Sequence, residues 1–272
     1  MRSYEVTSSD GVTLRVDAAG DPHSRPIVFV HGYSQSRLCW QRQFESDLID
    51  DYLLVAFDNR GHGDSEKPRD AYDDPSYWAN DVRAVLESLD RSEPVLVCWS
   101  YGGLIVTDYF AVYGTEEVSG VNYVGAITEK GTADAVQFAG DAFIVLMEGL
   151  ESCETKESVT TLGEFIELCV NEPLDPIDFH FMLGYNLKTP PHVREALQTR
   201  IVDNESVLEE VRIPVLLTHG ECDPVVLRAA AEKHADVFPA AKTSFYPDIG
   251  HSPFWEAPDR FNTELRAFVE RL

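Results

Sequence analysis

Basic residues are scarce in this 272-residue sequence, which has 22 lysines and arginines against 47 aspartates and glutamates. The net charge of −25 at pH 7 disfavours binding to nucleic acids and anionic membranes, because both attract positively charged surfaces. Lysine is the rarer cation, with six residues, so arginine supplies most of the positive charge. We therefore expect no nucleic-acid partner and no membrane partner, and we interpret the acidic surface as a solvated one.

Paired cysteines and long apolar runs are also lacking. The five cysteines are scattered and show no metal-ligand spacing, which indicates reduced thiols in a cytoplasmic protein and no metal site. No stretch approaches the roughly 20 apolar residues that a membrane-spanning helix requires. Residues 1–16 alternate between polar and apolar side chains and contain no continuous signal-peptide segment. We expect a protein that is neither secreted nor inserted in a membrane.

The regular feature of the sequence is an alternation of apolar runs and amphipathic segments. Short apolar runs are typical of strands that are buried on both faces of a parallel sheet. They occur at residues 26–30, 53–57, 95–99, 121–127 and 215–218, and a more polar run follows at 243–246. Segments with helical periodicity lie between or after them, at residues 39–49, 77–89, 104–113, 227–237 and 257–272. This alternation predicts a doubly wound, mostly parallel sheet covered by helices.

Two regions depart from this alternation. At the N-terminus, alternating polar and apolar residues on either side of Ser9-Asp10-Gly11 predict an antiparallel hairpin. Residues 128–211 are rich in large apolar side chains, and helices are predicted there at 138–150, 161–170 and 191–200. We therefore interpret residues 1–127 and 212–272 as one α/β core, and residues 128–211 as a helical insertion in it.

One predicted strand leads directly into a serine with small neighbours. Residues 95–99 precede Ser100, which has Cys98 and Gly102 two positions away on either side. An abrupt strand-to-helix turn strains the residue at the turn, so its neighbours two positions away have to be small. This pattern resembles the nucleophile elbow of the α/β-hydrolase family, with Cys98 where that family usually has glycine. The alternative is an ordinary Ser-Gly-Gly turn after a buried strand.

A serine hydroxyl becomes a good nucleophile when a base lies within hydrogen-bond reach and a carboxylate orients that base. Asp223 follows the strand at 215–218 and takes the family's usual acid position, and His251 follows the strand at 243–246 and takes that of the base. The chain order Ser, Asp, His is the one expected for this fold. We predict Ser100, Asp223 and His251 as the catalytic residues, with Glu129 as a rival acid. Taken singly, Asp223 and His251 are also compatible with turn or helix-capping roles.

The resemblance also assigns the loops around the serine. Backbone N–H groups must stabilise the oxyanion that forms during acyl transfer, and the family pattern places them here at Tyr101 and Tyr33. His31, in the same loop as Tyr33, is expected to be structural. The segment at 58–65 is similar to the family's D-x-R-G-x-G-x-S pattern. Three of its side chains are expected to hold the loop by hydrogen bonds: Asp58, Arg60 and Ser65.

The resemblance implies an eight-stranded α/β-hydrolase fold in which residues 128–211 form a helical cap. It implies a serine hydrolase that cleaves small, largely apolar carboxylic esters through an acyl-enzyme, without a metal or cofactor. Apolar stripes of this kind more often form the cap's own core, but some are predicted to contact the substrate. The predicted substrate contacts are Trp99, Phe143, Met147, Phe181 and Met182.

Two alternatives to ester hydrolysis stay open at the level of the sequence. In the first, the acyl group passes to an acceptor other than water, as in perhydrolases and haloperoxidases, or the substrate is a lactone or thioester. In the second, the chain is a slow, ligand-binding receptor on the same scaffold. The sequence also leaves the oligomeric state open.

Overall fold

A computed structural model describes residues 1–90, 93–239 and 241–272 of the chain, and strands form the centre of its fold. The strands, in chain order, are β1 (Arg2–Thr7), β2 (Thr13–Ala19), β3 (Pro26–Val30), β4 (Leu53–Phe57), β5 (Val95–Trp99), β6 (Gly120–Val124), β7 (Glu129–Lys130), β8 (Val202–Asp203), β9 (Val215–Gly220) and β10 (Ala241–Tyr246). Strands β7 and β8 pair with each other in an antiparallel manner, outside the main sheet. The other eight form one sheet in the order β1-β2-β4-β3-β5-β6-β9-β10.

The main sheet is parallel except at one edge. Strand β1 forms the predicted hairpin with β2, and β2 pairs antiparallel with β4. The pairs from β4 through β3, β5, β6 and β9 to β10 are all parallel. Every residue of β3 to β6 and of β9 is buried, as the uninterrupted apolar runs predict. The prediction of a doubly wound, mostly parallel eight-stranded sheet is therefore confirmed.

Helices connect the strands and cover the sheet. They are α1 (Gln41–Phe44), α2 (Leu48–Asp51), α3 (Pro75–Glu87), α4 (Gly102–Tyr113), α5 (Asp141–Glu151), α6 (Thr155–Leu168), α7 (Pro176–Asn186), α8 (Pro191–Thr199), α9 (Glu205–Glu210), α10 (Arg228–Val237), α11 (Pro253–Glu256) and α12 (Pro258–Val269). Two 3-10 turns lie at Arg37–Trp40 and Ala135–Phe138. Within the described ranges, no helix combines the length and the apolar character that crossing a membrane requires.

The structure corrects two of the predicted elements. Residues 39–49 were expected to form one helix, but they form a 3-10 turn followed by α1 and α2. The hydroxyl of Ser46 donates to the Gln43 carbonyl (2.7 Å) and accepts from the Leu48 N–H (3.2 Å), which replaces helical hydrogen bonds at this point. Strand β6 also ends at Val124 rather than at residue 127, because the chain turns at Gly125, where φ is +48°.

Residues 128–211, called the helical segment below, lie between β6 and β9 and contain α5 to α9. Helix α7 was not predicted, although Asp175 caps its first turn and Pro176 occupies its first position. The guanidinium of Arg194 on α8 is buried and donates to the carbonyl oxygens of Leu150 and Thr189 and to the hydroxyl of Ser158 (2.9 Å). These bonds tie α5, α6 and α8 together.

Candidate active site

Ser100 is held in an unusual backbone conformation directly after β5. Its φ is +55°, in the left-handed region that non-glycine residues rarely occupy. Its N–H donates to the carbonyl of Val124 (3.0 Å), and its own carbonyl accepts from the N–H groups of Gly103 (2.9 Å) and Ile127 (3.1 Å). The end of β6 and the loop after it therefore maintain the strained turn that the sequence pattern predicts.

The small residues around Ser100 are required by close contacts. A Cβ atom on Gly102 would lie 2.5 Å from the Val30 carbonyl oxygen, and one on Gly103 would lie 2.5 Å from that of Ile127. On the other side, the Cys98 thiol is fully buried and donates to the carbonyl of Asn122 (3.5 Å). Burial raises the pKa of this thiol, so it stays protonated. A cysteine therefore fits the position without disturbing the turn.

Asp223 and His251 form a buried hydrogen-bonded pair. Asp223 Oδ2 accepts from His251 Nδ1 at 2.7 Å, and both side chains are almost completely buried. The other oxygen, Oδ1, accepts from the N–H groups of Val225 (2.8 Å) and Val226 (2.9 Å). Because Nδ1 carries the hydrogen of this bond, the neutral imidazole has Nε2 left as its acceptor.

Gly125 adjoins both the Asp223–His251 pair and the residue that binds the Ser100 backbone. Gly125 directly follows Val124, whose carbonyl accepts the Ser100 N–H, and a Cβ built on it would lie 3.1 Å from His251 Nδ1 and 3.3 Å from Asp223 Oδ2. Among the described residues, Ser100 Oγ forms no hydrogen bond. The structure thus brings the three predicted residues to one edge of the sheet.

Two backbone N–H groups lie beside the serine. Tyr33 and Tyr101 line the same cavity as Ser100, and within the described residues neither N–H donates a hydrogen bond. A Cβ on Gly32 would lie 3.0 Å from Ser100 Cβ, so glycine permits this close approach of the loop. Within the part of the chain that the structure describes, both N–H groups therefore remain available as donors.

The loop that carries Tyr33 is fixed by a neutral histidine. His31 Nδ1 donates to the Gly32 carbonyl (2.8 Å), and Nε2 accepts from the N–H of Asn59 (3.0 Å). Burial lowers the pKa of His31 to about 3, so the ring is uncharged at neutral pH. Both ring nitrogens are used, which agrees with the expected structural role.

The segment at 58–65 holds its geometry through polar contacts, as expected. Asp58 accepts from the backbone N–H groups of Arg37 and Asp64, both at 2.7 Å. The Ser65 hydroxyl donates to the Asp58 carbonyl (2.6 Å), and the Arg60 guanidinium is paired with Asp81 (2.6 Å). None of these side chains is available for a chemical step.

A largely apolar cavity of about 350 Å³ opens above Ser100. It lies between the core and the helical segment, and two of the predicted substrate contacts, Phe143 and Met147 of α5, line it. Phe165 of α6 is also part of the wall, and its ring lies 5.7 Å from that of Phe143. The cavity therefore places apolar side chains of the helical segment next to the serine.

Three predicted substrate contacts lie outside this cavity. The Trp99 indole donates to the backbone carbonyl of His251 (2.8 Å), so we reassign this residue to the support of the histidine. Met182 faces a separate small pocket, and the Phe181 ring stacks on that of Trp255 at 6.4 Å. The face of α7 that carries these side chains packs on α11 rather than on the cavity.

Polar groups that the sequence analysis did not single out also line the cavity. The Thr128 hydroxyl lies 2.8 Å from His234 Nε2, and burial lowers the pKa of His234 to about 3. Glu129, the rival acid, is paired with Lys233 at 2.6 Å, whereas the His251 ring is paired with Asp223. No group of three or more metal-ligating side chains in the described ranges could hold a metal ion.

Comparisons with known proteins agree with this fold. The profile of the alpha/beta hydrolase family matches residues 27–264. The structure of the esterase RhEst1 from Rhodococcus sp. ECU1013 superimposes with a TM-score of 0.94 and 37% identity, over 99% of both chains. A non-heme chloroperoxidase from Streptomyces lividans is 28% identical over 97% of this chain and 99% of its own. The bifunctional esterase/perhydrolase DCH from Acinetobacter calcoaceticus is also 28% identical, over 97% of this chain and 98% of its own.

Proposed function

This chain belongs to the alpha/beta hydrolase family, and from that premise we propose that it is a serine hydrolase that cleaves small, largely apolar carboxylic esters. The observation that carries the proposal is the buried 2.7 Å hydrogen bond between Asp223 and His251 beside the strained Ser100. The similarity to an esterase that is 37% identical over almost the whole chain supports the choice of an ester as the substrate.

In the proposed mechanism Ser100 Oγ attacks the ester carbonyl while His251 Nε2 takes the hydroxyl proton. The Asp223 carboxylate stabilises the imidazolium that forms. The negative charge on the former carbonyl oxygen is stabilised by the N–H groups of Tyr33 and Tyr101. When the intermediate collapses, His251 gives its proton to the leaving alcohol, and Ser100 keeps the acyl group.

Water completes the cycle in a second step that follows the same pattern as the first. His251 takes a proton from the water as it attacks the acyl-enzyme, and the same two N–H groups stabilise the second oxyanion. Collapse of this intermediate returns the proton to Ser100 Oγ and releases the carboxylic acid. Every step of this proposed reaction is carried out by the side chains of Ser100, Asp223 and His251 and by two backbone N–H groups.

We further propose that residues 1–127 and 212–272 form the catalytic core and that the helical segment is a cap. Support comes from the cavity, whose walls combine Ser100 with Phe143, Met147 and Phe165 of the helical segment. Apolar walls favour an apolar acyl group, because its transfer from water is favourable at about 25 cal/mol per Å² of buried surface. Phe143 and Met147 are accordingly our proposed substrate contacts.

A second proposed activity is acyl transfer to hydrogen peroxide or another small acceptor. It is favoured by the similarity to a protein named as both an esterase and a perhydrolase. An added acceptor should then divert acyl groups from the carboxylic acid to the new product, and an unchanged product ratio would contradict this activity. Ligand binding with only slow turnover would instead support the receptor alternative.

We also retain the proposal of a cytoplasmic location. All five cysteines are free thiols, including the exposed Cys153 and Cys222. Free exposed thiols are typical of reducing compartments. Fractionation of cells that express the protein would test this proposal.

The proposed nucleophile can be tested with p-nitrophenyl butyrate and a fluorophosphonate probe. Ser100→Ala should lower kcat/KM by at least about 10³-fold and abolish labelling, because the chain then has no hydroxyl at the attacking position. Ser8→Ala is a matched control, since Ser8 is also buried but lies in the β1–β2 hairpin. Equal turnover by wild type and Ser100→Ala, or a labelled peptide that lacks residue 100, would contradict the proposal.

A further inference from the structure

A second histidine lies against the carboxylate of Asp223. His219, near the end of β9, is 1% exposed, and its Nε2 lies 2.9 Å from the Val226 carbonyl oxygen and 3.3 Å from Asp223 Oδ2. Two oxygen acceptors near one ring nitrogen require that nitrogen to carry the hydrogen. The N–H therefore donates to Val226, and its positive end also faces the oxygen that accepts from His251.

His219 also fixes the turn that presents the carboxylate. The Val226 N–H donates to Asp223 Oδ1, and the Val226 carbonyl accepts from His219. The turn at 223–226 is thus stabilised by hydrogen bonds from its own N–H groups to Asp223 and by the hydrogen bond from His219 to Val226. Loss of the ring would remove the donor that binds the Val226 carbonyl. It would also remove the partially positive N–H group that lies beside the Asp223 carboxylate.

The titratable groups around His219 leave it an uncharged donor. Burial lowers the pKa of His219, although the Asp223 carboxylate opposes this shift. The other groups that face it are His251 across the carboxylate, and Arg228 and His234 from α10. Cys169, at the end of α6, also lies near Asp223, and burial raises the pKa of its thiol. At neutral pH the ring therefore contributes an N–H dipole and no net charge.

We propose that His219 is a positioning residue that lowers the proton affinity of the Asp223–His251 pair. A donor near Oδ2 withdraws charge from the carboxylate, so the carboxylate stabilises the His251 imidazolium less. His251 then remains an unprotonated base at a lower pH, and the enzyme keeps its activity under more acidic conditions. This inference rests on the proposed serine-hydrolase function.

The test is the pH profile of kcat/KM for p-nitrophenyl butyrate in wild type and His219 variants. In His219→Phe the acid limb should move up by about 0.5 to 1 pH unit, because the carboxylate loses the partially positive N–H group beside Oδ2. His219→Gln places an amide N–H at the distance of Nε2 and should restore the wild-type limb. His62→Phe removes another buried, uncharged imidazole and should leave the acid limb in place.

A second measurement separates this inference from the proposed function. The protonation of His251 can be titrated by NMR in Ser100→Ala and in Ser100→Ala/His219→Phe, without any turnover. Full activity of Ser100→Ala would overturn the proposed function, whereas the NMR titration would still decide the role of His219. If the phenylalanine variant does not fold, His219→Asn provides the same comparison, because its shorter amide cannot reach Asp223.

The possible results divide clearly. An upward shift in His219→Phe or His219→Asn, restored by glutamine, supports the inference. An unchanged acid limb, a downward shift, or an equal upward shift in His62→Phe would overturn it. A fall in kcat/KM at every pH, without a shift of the limb, would assign His219 a structural role and would also overturn it.

Discussion

Gly125→Ala tests whether the geometry of the Asp223–His251 pair limits the reaction. Gly125 has a φ of +48°, and the new methyl carbon would lie 3.1 Å from His251 Nδ1 and 3.3 Å from Asp223 Oδ2. Contacts this short force the neighbours to move by a few tenths of an ångström. The neighbours here are the two atoms joined by the 2.7 Å hydrogen bond, and both side chains are buried.

This variant should have two separate effects, a loss of stability and a loss of activity. Alanine in the left-handed region costs about 1 kcal/mol relative to glycine, which corresponds to a fall in Tm of about 2 to 4 °C for a chain of this size. Displacement of the imidazole costs activity, because a misplacement of about 1 Å can lower rates about 100-fold. For a shift of a few tenths of an ångström we expect kcat/KM to fall about 10-fold to 100-fold.

Gly11→Ala is the matched control, because it separates strain from contact. Gly11 lies in the turn between β1 and β2 with a φ of +93°, and a Cβ there would have no neighbour within 4 Å. We expect a similar loss of stability and an unchanged kcat/KM, measured by urea unfolding and by p-nitrophenyl butyrate hydrolysis. If Gly125→Ala kept wild-type kcat/KM while it lost stability as Gly11→Ala does, the reasoning would be refuted.

Two further predictions concern the stability of the fold. His31, His62 and His234 have pKa values lowered by burial to about 3, against 6.5 for an ordinary histidine, so the unfolded chain binds more protons between these values. Their contribution is complete above pH 6.5 and is lost as the pH falls, so the free energy of unfolding should be about 4 kcal/mol lower at pH 5.5 than at pH 7.5. A free energy of unfolding from urea titration that does not change between these two pH values would contradict this. Arg200→Met should lower the free energy of unfolding, measured by thermal unfolding, by about 3 to 5 kcal/mol, because Asp108 would be left buried without its 2.7 Å partner. Adding Asp108→Leu should recover most of this loss. An Arg200→Met variant as stable as wild type would contradict this prediction.

Much of the fold and the positions of the predicted site residues follow from local sequence chemistry. The central strands are buried on both faces, so their apolar runs are visible without any knowledge of the partners. The turn at Ser100 needs small neighbours for steric reasons, and those neighbours are adjacent in the sequence. Asp223 and His251 likewise follow strand ends, and the parallel sheet brings such ends to one edge.

Side-chain direction is the part that the sequence does not determine. In β5 both faces are buried, so the apolar run does not tell which face Trp99 occupies, and its indole turns to the carbonyl of His251. Helix α7 has apolar residues around much of its surface, and tertiary packing directs Phe181 and Met182 away from the cavity. His219 directly follows the predicted strand at 215–218, but its approach to Asp223 depends on how the turn folds back over β9.

The strained backbone of Ser100 depends on a neighbour that is distant in the chain. Its N–H is bound by Val124, and its carbonyl is bound in part by Ile127, both beyond α4. The pose of the nucleophile therefore cannot be reached until β6 has docked on β5, however early the β5–α4 unit forms. The active conformation of Ser100 therefore forms late in folding. After dilution from denaturant, recovery of activity should lag behind the return of the helical circular-dichroism signal.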